Sequence, residues 1–293
     1  MDYFGYDAKE EFQVEIDAII EAIKLNMKSE LAHSMEFEFV WDEYSQTMNA
    51  GASKNNNGGT DSYIIKINLW TPMYMVRLLN ERLTDFDTSN KKDIIHTTVS
   101  HILSFIMWHE YYHIVLGHCT IPKYNNEMNE KVSKSEGSFE RQQLEVMCDM
   151  LAARKFASGA FIVSKEKNNA NLIQFIFVIL FIYFYESETI TLKNNILDGQ
   201  SYSEAISEKR THPFITFRFA YIVEIIEQEI SRYLEYENFD EIYDAAISTL
   251  DFLGYSDWFR IDPYDDYYLD FYNKLKQIDL KKLLRDTTKT YFK

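Results

Sequence analysis

The chain has 293 residues, 46% of them hydrophobic and 16% aromatic, enough apolar material for one large core or two smaller ones and too much for a disordered chain. Its 46 acidic against 30 basic residues give a formal net charge of -16, a field that repels phosphate backbones and anionic lipid alike, so nucleic acid is excluded as an expected partner. Only two cysteines occur, Cys119 and Cys148, which excludes a disulfide framework and leaves two free thiols as the expected state.

The N-terminal "MDYFGYDAKEEF" is acidic and carries no basic region followed by an apolar one, so no secretory signal and a cytoplasmic location are expected. Residues 8 to 33 read as an amphipathic helix, with Phe12, Ile16, Ile19, Ile20 and Ile23 among charges. "MEFEFVW" (35 to 41) and "SYIIKINLW" (62 to 70) read as strands. "MNAGASKNNNGGTD" between them reads as a turn or flexible loop, so a hairpin or small sheet edge is expected. From residue 71 the chain reads as helical, with breaks at "DTSNKKD", "KYNNEMNEKVSKSEGS", "KEKNN" and "LKNNILDGQ".

"LIQFIFVILFIYFY", residues 172 to 185, is interrupted by Gln174 and falls short of the roughly 20 apolar residues that span a bilayer. A buried core helix is expected there, and no membrane association. From about residue 233 acids mix with aromatics, as in "SDWFRIDPYDDYYLDFY", which reads as a helical cap packed on the core. The fold class is expected to be mainly α (α+β), divided into a larger domain over 1–232 and this cap over 233–293.

"FIMWHEYYHIVLGHC", residues 105 to 119, carries the chemistry. Ile95, Val99, Ile102, Ile106, His109 and His113 fall four, three, four, three and four apart, so the two histidines continue the apolar stripe of a helix. An imidazole buried on such a stripe is costly unless its nitrogens are bonded. Neutral imidazoles at i and i+4 can both reach one zinc ion, with Glu110 beside the metal as a general base for water. Two core histidines bonded to backbone or side chains are the other reading. Gly117 is expected to end the helix, leaving His118 as a loop histidine or one that backs a ligand, and the same holds for His96 and His101.

A catalytic zinc takes three protein ligands. "RQQLEVMCDMLAARKFA" (141 to 157) places Glu145 and Asp149 four apart in an apolar helix. Glu145 can complete a His2Glu set, and Asp149 can accept the outer N–H of a ligating histidine. In "RTHPFITFRFAYIVE" (210 to 224), His212 precedes Pro213 at a helix start, and Arg218 follows about two turns on. These two are expected near the oxyanion that a hydrolytic reaction develops.

As a set, "HEYYH" with "GH" after it, "EVMCD" and "THPFITFR" resemble the gluzincin metallopeptidases of the HtpX and CAAX-prenyl-protease type, and are similar to the soluble phage-exclusion peptidases of the Lit type. The resemblance covers roughly residues 49 to 70, 95 to 157 and 211 to 224. It implies a zincin-like helical core with a small β-hairpin or edge strand lining the cleft. It also implies zinc on His109, His113 and Glu145, Glu110 as base, Asp149 behind a ligand, and His212 with Arg218 near the oxyanion. Asn49 and Ala50 match the family's Asn-Ala turn before the edge strand that pairs with an extended substrate. In some relatives the histidine equivalent to His212 occupies the metal's open position at rest. The implied activity is cleavage of a protein substrate, in the Lit-like case a host protein during phage infection. Tyr111 and Tyr112 depart from the smaller residues usual inside the motif. A non-catalytic, zinc-stapled helical binding module is the alternative from another class.

Overall fold

The computed structural model of the chain describes residues 7–30, 35–43, 48–57, 61–84, 88–120, 138–164, 170–197, 215–233 and 239–255. Helix α1 (Ala8–Glu30) opens on Asp7, whose Oδ1 accepts the backbone N–H of Lys9 at 3.0 Å and of Glu10 at 3.3 Å. These are donors that a helix start otherwise leaves without partners. The helix buries Ala8, Phe12, Ile16, Ile23 and Met27, which share one helical face.

Strands β1 (Glu36–Asp42), β2 (Ala50–Lys54) and β3 (Ser62–Asn68) form one sheet in the order β1-β3-β2. The two strands expected from the sequence do not form a hairpin with each other: β1 and β3 run parallel, and β2, inside the stretch expected to be a turn, pairs antiparallel with β3. "AGASK" lacks the branched and aromatic residues that mark strands. It is recruited because β3, with Tyr63, Ile65 and Ile67 buried, has a second side to pair. Asn68 ties the sheet's end together: its N–H donates to Asn49 O at 2.8 Å and its Oδ1 accepts Trp70 N–H at 2.8 Å.

Helix α2 (Trp70–Arg82) leads into α3 (Thr88–Val115), which begins inside "DTSNKKD" rather than after it. The sequence's apolar stripe holds: Ile95, Val99, Ile102, Ile106 and His109 are all buried. Gly117, at φ 75°, ends the helix as expected and turns the chain into a short 3-10 turn over His118–Thr120. Around α3 pack α1, α2, β2, β3, α4 (Ser138–Ser164) and α5 (Ala170–Leu197). Helix α6 (Ile215–Tyr233) lies against α4 and α5, and α7 (Phe239–Phe252) against α5. The molecule is thus mostly helical with one small three-stranded sheet.

Asn171–Ile190 in α5 is long and apolar enough to cross a bilayer by length and composition, with mean hydropathy 1.5, yet 56% of that stretch is buried inside the protein. Ile173, Ile176, Phe177, Leu180 and Phe181 fill the core. Gln174 does not interrupt the packing, because its amide donates to Ala245 O at 3.2 Å and to Thr249 Oγ1 at 2.8 Å on α7. Immediately after the apolar run, buried Glu186 accepts hydrogen bonds from Tyr74 at 2.7 Å and Tyr255 at 2.9 Å, joining α2, α5 and the chain just past α7.

Candidate metal centre

The packing of α3 on α4 brings two i, i+4 pairs face to face, His109 with His113 and Glu145 with Asp149. The imidazole Nε2 atoms of His109 and His113 lie 3.0 Å apart. Glu145 reaches them from α4, with Oε2 at 3.3 Å from His109 Nε2 and Oε1 at 3.5 Å from His113 Nε2. His109 and Glu145 are each 7% exposed. Two imidazoles and a carboxylate are thus crowded together with little access to water.

Around a tetrahedral zinc with bonds of about 2.0 to 2.1 Å, donor atoms lie about 3.3 Å apart. The contacts here, with a different Glu145 oxygen facing each imidazole, are close to that length, and one donor atom from each of the three residues lies within 4.8 Å of the others. Two imidazoles and a carboxylate are also the donor chemistry that zinc accepts at catalytic sites. On geometry and chemistry the residues fit the ion.

Behind His109 stands Asp149, fully buried, with Oδ1 at 2.9 Å from His109 Nδ1. That contact favours a proton on the outer nitrogen, so that the lone pair on Nε2 is the one a metal would take once the second proton is lost. Arg218, in the first turn of α6, grips the same carboxylate with both arms: Nε to Oδ2 at 2.6 Å and Nη2 to Oδ1 at 2.8 Å. The guanidinium also lies over the Phe184 ring, 4.7 Å from its centroid. Burial acts to raise the Asp149 pKa, but the charges of Arg218 and His109 outweigh it and hold the carboxyl below its ordinary value. For His109 burial acts downward, and the charges of Asp149 and Glu145 lift it to about 10.

Glu110 is buried, 6% exposed, on the same turn as His109. Burial raises its pKa, and Glu145 adds to the effect against the opposing charges of His109, His113 and Arg218. A carboxyl held above its ordinary range is a better proton acceptor and a better later donor near neutral pH.

His113 faces a second histidine on its outer side: its Nδ1 lies 2.9 Å from Nδ1 of His118, on the turn that Gly117 creates. Cys148 Sγ lies 3.7 Å from that same His118 nitrogen. His118 is 4% exposed, and burial together with the nearby His113 charge pushes its pKa down to about 3, so it stays neutral. The Cys148 thiol is pushed well up by burial and by Glu145, so it too stays neutral. Both cysteines are buried thiols.

No family model matches this chain, and no curated protein or solved structure is significantly similar to it. The site therefore stands on its own geometry.

Of the residues singled out by sequence, His109, Glu110, His113, Glu145, Asp149 and Arg218 come together around one point. Arg218 is engaged with Asp149, where the sequence reading had set it toward an oxyanion. Asn49 is exposed at the start of β2, its carbonyl bonded to Asn68 N–H, and Ala50 pairs with Ile67. Strand β2 itself packs on α3 and on the His118 turn. His212 lies outside the described residues. His96 lies away from the site, stacked on Phe12 and 3.4 Å from Glu15, and the His101 Nδ1–H donates to Thr97 O at 2.7 Å on its own helix.

Two neighbours escaped the sequence reading. Cys148 sits between Glu145 and Asp149 in sequence and was expected only to be a free thiol. Tyr183, on α5, has its phenol pushed up by burial and lies within the field of Arg218, Glu110, Asp149 and Glu145. It stands in an apolar run more than thirty residues from any of them, and nothing in its local pattern separates it from its core neighbours.

Proposed function

We propose that this chain is a zinc-dependent endopeptidase of the gluzincin kind, acting on a protein substrate in the cytoplasm. The observation that carries the reading is the convergence of His109, His113 and Glu145, one Glu145 oxygen facing each imidazole Nε2 at 3.3 and 3.5 Å, with Glu110 on the same turn as His109. When bound, zinc would polarise a peptide carbonyl and acidify water at the site.

The chain's own residues supply the rest. Glu110 takes a proton from the attacking water and returns it to the leaving amine, a double task that suits a carboxyl whose pKa is raised by burial. Asp149 keeps the His109 proton on Nδ1, and Arg218 keeps Asp149 ionised and aimed. His212, six residues before Arg218, belongs to this reading as the group that stabilises the oxyanion or rests on the metal. The narrower reading, a conditional protease cutting a host protein during phage infection, follows from the Lit-like motifs.

The test compares wild type with Glu110→Gln and Glu145→Ala. About one zinc per chain in wild type and Glu110→Gln, with much less in Glu145→Ala, is expected from elemental analysis. New protein termini should appear in cells expressing wild type and be absent with Glu110→Gln. Full cleavage by the Glu110 variant would sink the mechanism. Zinc retained without any cleavage product, in wild type as in the variant, would favour the zinc-stapled binding module.

A further inference from the structure

Each ligating imidazole in this centre has an outer nitrogen, and the two are served differently. His109 turns its Nδ1 to a charged carboxylate, Asp149, at 2.9 Å. His113 turns its Nδ1 to another imidazole, His118, at 2.9 Å. Two nitrogens at that distance share one proton, and which of them owns it decides what His113 can do.

The alternatives can be told apart. If His118 donated, His113 would carry its proton on Nε2, pointing it at His109 Nε2 3.0 Å away and leaving no lone pair for a metal. If His113 donates, Nε2 becomes the lone-pair nitrogen, the form a metal ligand needs. Cys148 weights the balance the second way. Its Sγ lies 3.7 Å from the same His118 Nδ1, and an S–H there is served by an acceptor.

We propose that His118 is the positioning residue for His113: its Nδ1 accepts the His113 Nδ1–H and so holds His113 as an Nε2 ligand. This rests on the zinc reading above and adds a residue to it. The HExxH helix alone does not supply this contact. It needs the left-handed Gly117, φ 75°, to swing His118 back under the helix end. The arrangement leaves the His118 proton on Nε2, a buried atom with no hydrogen-bond partner among the described residues. Such a cost is tolerated where a neighbouring function fixes the tautomer.

The experiment measures zinc affinity by competition with a chelator, together with imidazole 15N shifts of the zinc-loaded protein, for wild type, His118→Phe, His118→Asn and Cys148→Ser. Wild type should show His113 protonated on Nδ1 and bound through Nε2. His118→Phe fills the space without an acceptor and should weaken zinc binding about 10- to 100-fold, while His118→Asn, whose carbonyl can accept, should recover most of it. That rescue separates positioning from mere packing, and Cys148→Ser should stay close to wild type. Equal affinity in wild type and His118→Phe overturns the proposal while leaving the zinc site standing. Two metals per chain, the second lost in Cys148→Ser, would overturn it by making His118 and Cys148 ligands themselves. No zinc in wild type removes the reading it rests on, and this inference falls with it.

Discussion

Arg218 and Asp149 form a two-pronged ion pair, at 2.6 and 2.8 Å, on a carboxylate that no solvent reaches and that His109 also contacts. A buried charge of this kind is stable only while its partner is present. Arg218→Ala should lower stability by about 3 to 5 kcal/mol, read as a fall in the denaturant midpoint, and should weaken zinc binding because Asp149 no longer steadies His109. Arg218→Lys restores the charge but not the fork, and should recover only part of the loss. A midpoint unchanged by the alanine variant would mean that the pair adds nothing to the fold.

The metal-free protein should respond to pH through His109. Its pKa is raised from 6.5 to about 10 by Asp149 and Glu145, against the downward pull of burial. A raised pKa means that the folded state holds the proton more tightly than the unfolded chain does. The stability it contributes is complete below about pH 6.5 and is lost as pH climbs through about 10. Zinc and that proton compete for one imidazole, so zinc affinity should rise over the same window. Titration calorimetry in two buffers of different ionisation enthalpy should show proton release on binding near neutral pH. Uptake of protons, or none exchanged, would contradict the assignment.

Glu186 offers a control away from the metal. Its two oxygens accept from Tyr74 and Tyr255, and burial together with Glu186 pushes both phenols well above their ordinary range. Glu186→Ala removes the acceptor for both and should cost roughly 2 to 4 kcal/mol. Zinc stoichiometry should stay at the wild-type value. Loss of zinc in a variant that is still folded would show that the two regions are coupled.

Gly117 is a sharper probe. At φ 75°, an alanine is strained by about 1 kcal/mol. Thermal melts of Gly117→Ala should show that modest loss. Zinc affinity should fall by more than the melt suggests, because the same residue aims His118 at His113.

Much of this arrangement is readable in the sequence, for reasons that can be named. The stripe from Ile95 to His113 and the Glu145, Asp149 pair obey the helical repeat, which needs no knowledge of partners. Phe12, Ile16 and Ile23 follow the same rule in α1. What escaped reading is what depends on residues meeting across the chain. Arg218 and Asp149 are separated by 69 positions, and no local pattern announces their pairing. The strand "AGASK" has no local preference for extension, so only β3 beside it makes it a strand. His118 was legible as a loop histidine or one that backs a ligand, and the sense of the Gly117 turn, which brings it to His113, is what the sequence left open.

Helix α5 carries a consequence for how the protein is made. Its apolar run leaves the ribosome long before α7, and Gln174 meets Ala245 only 71 residues later. Until then a 20-residue segment of mean hydropathy 1.5 lacks the part of its cover that α6 and α7 provide, and to any factor that samples nascent chains it has the composition of a membrane span. Folding of this chain is therefore a race between completing its C-terminal half and capture of that helix by chaperones, lipid or other copies. Slow synthesis at low temperature favours loss of that race unless a holdase shields α5, so yield should depend on chaperone supply more than on the stability of the finished fold.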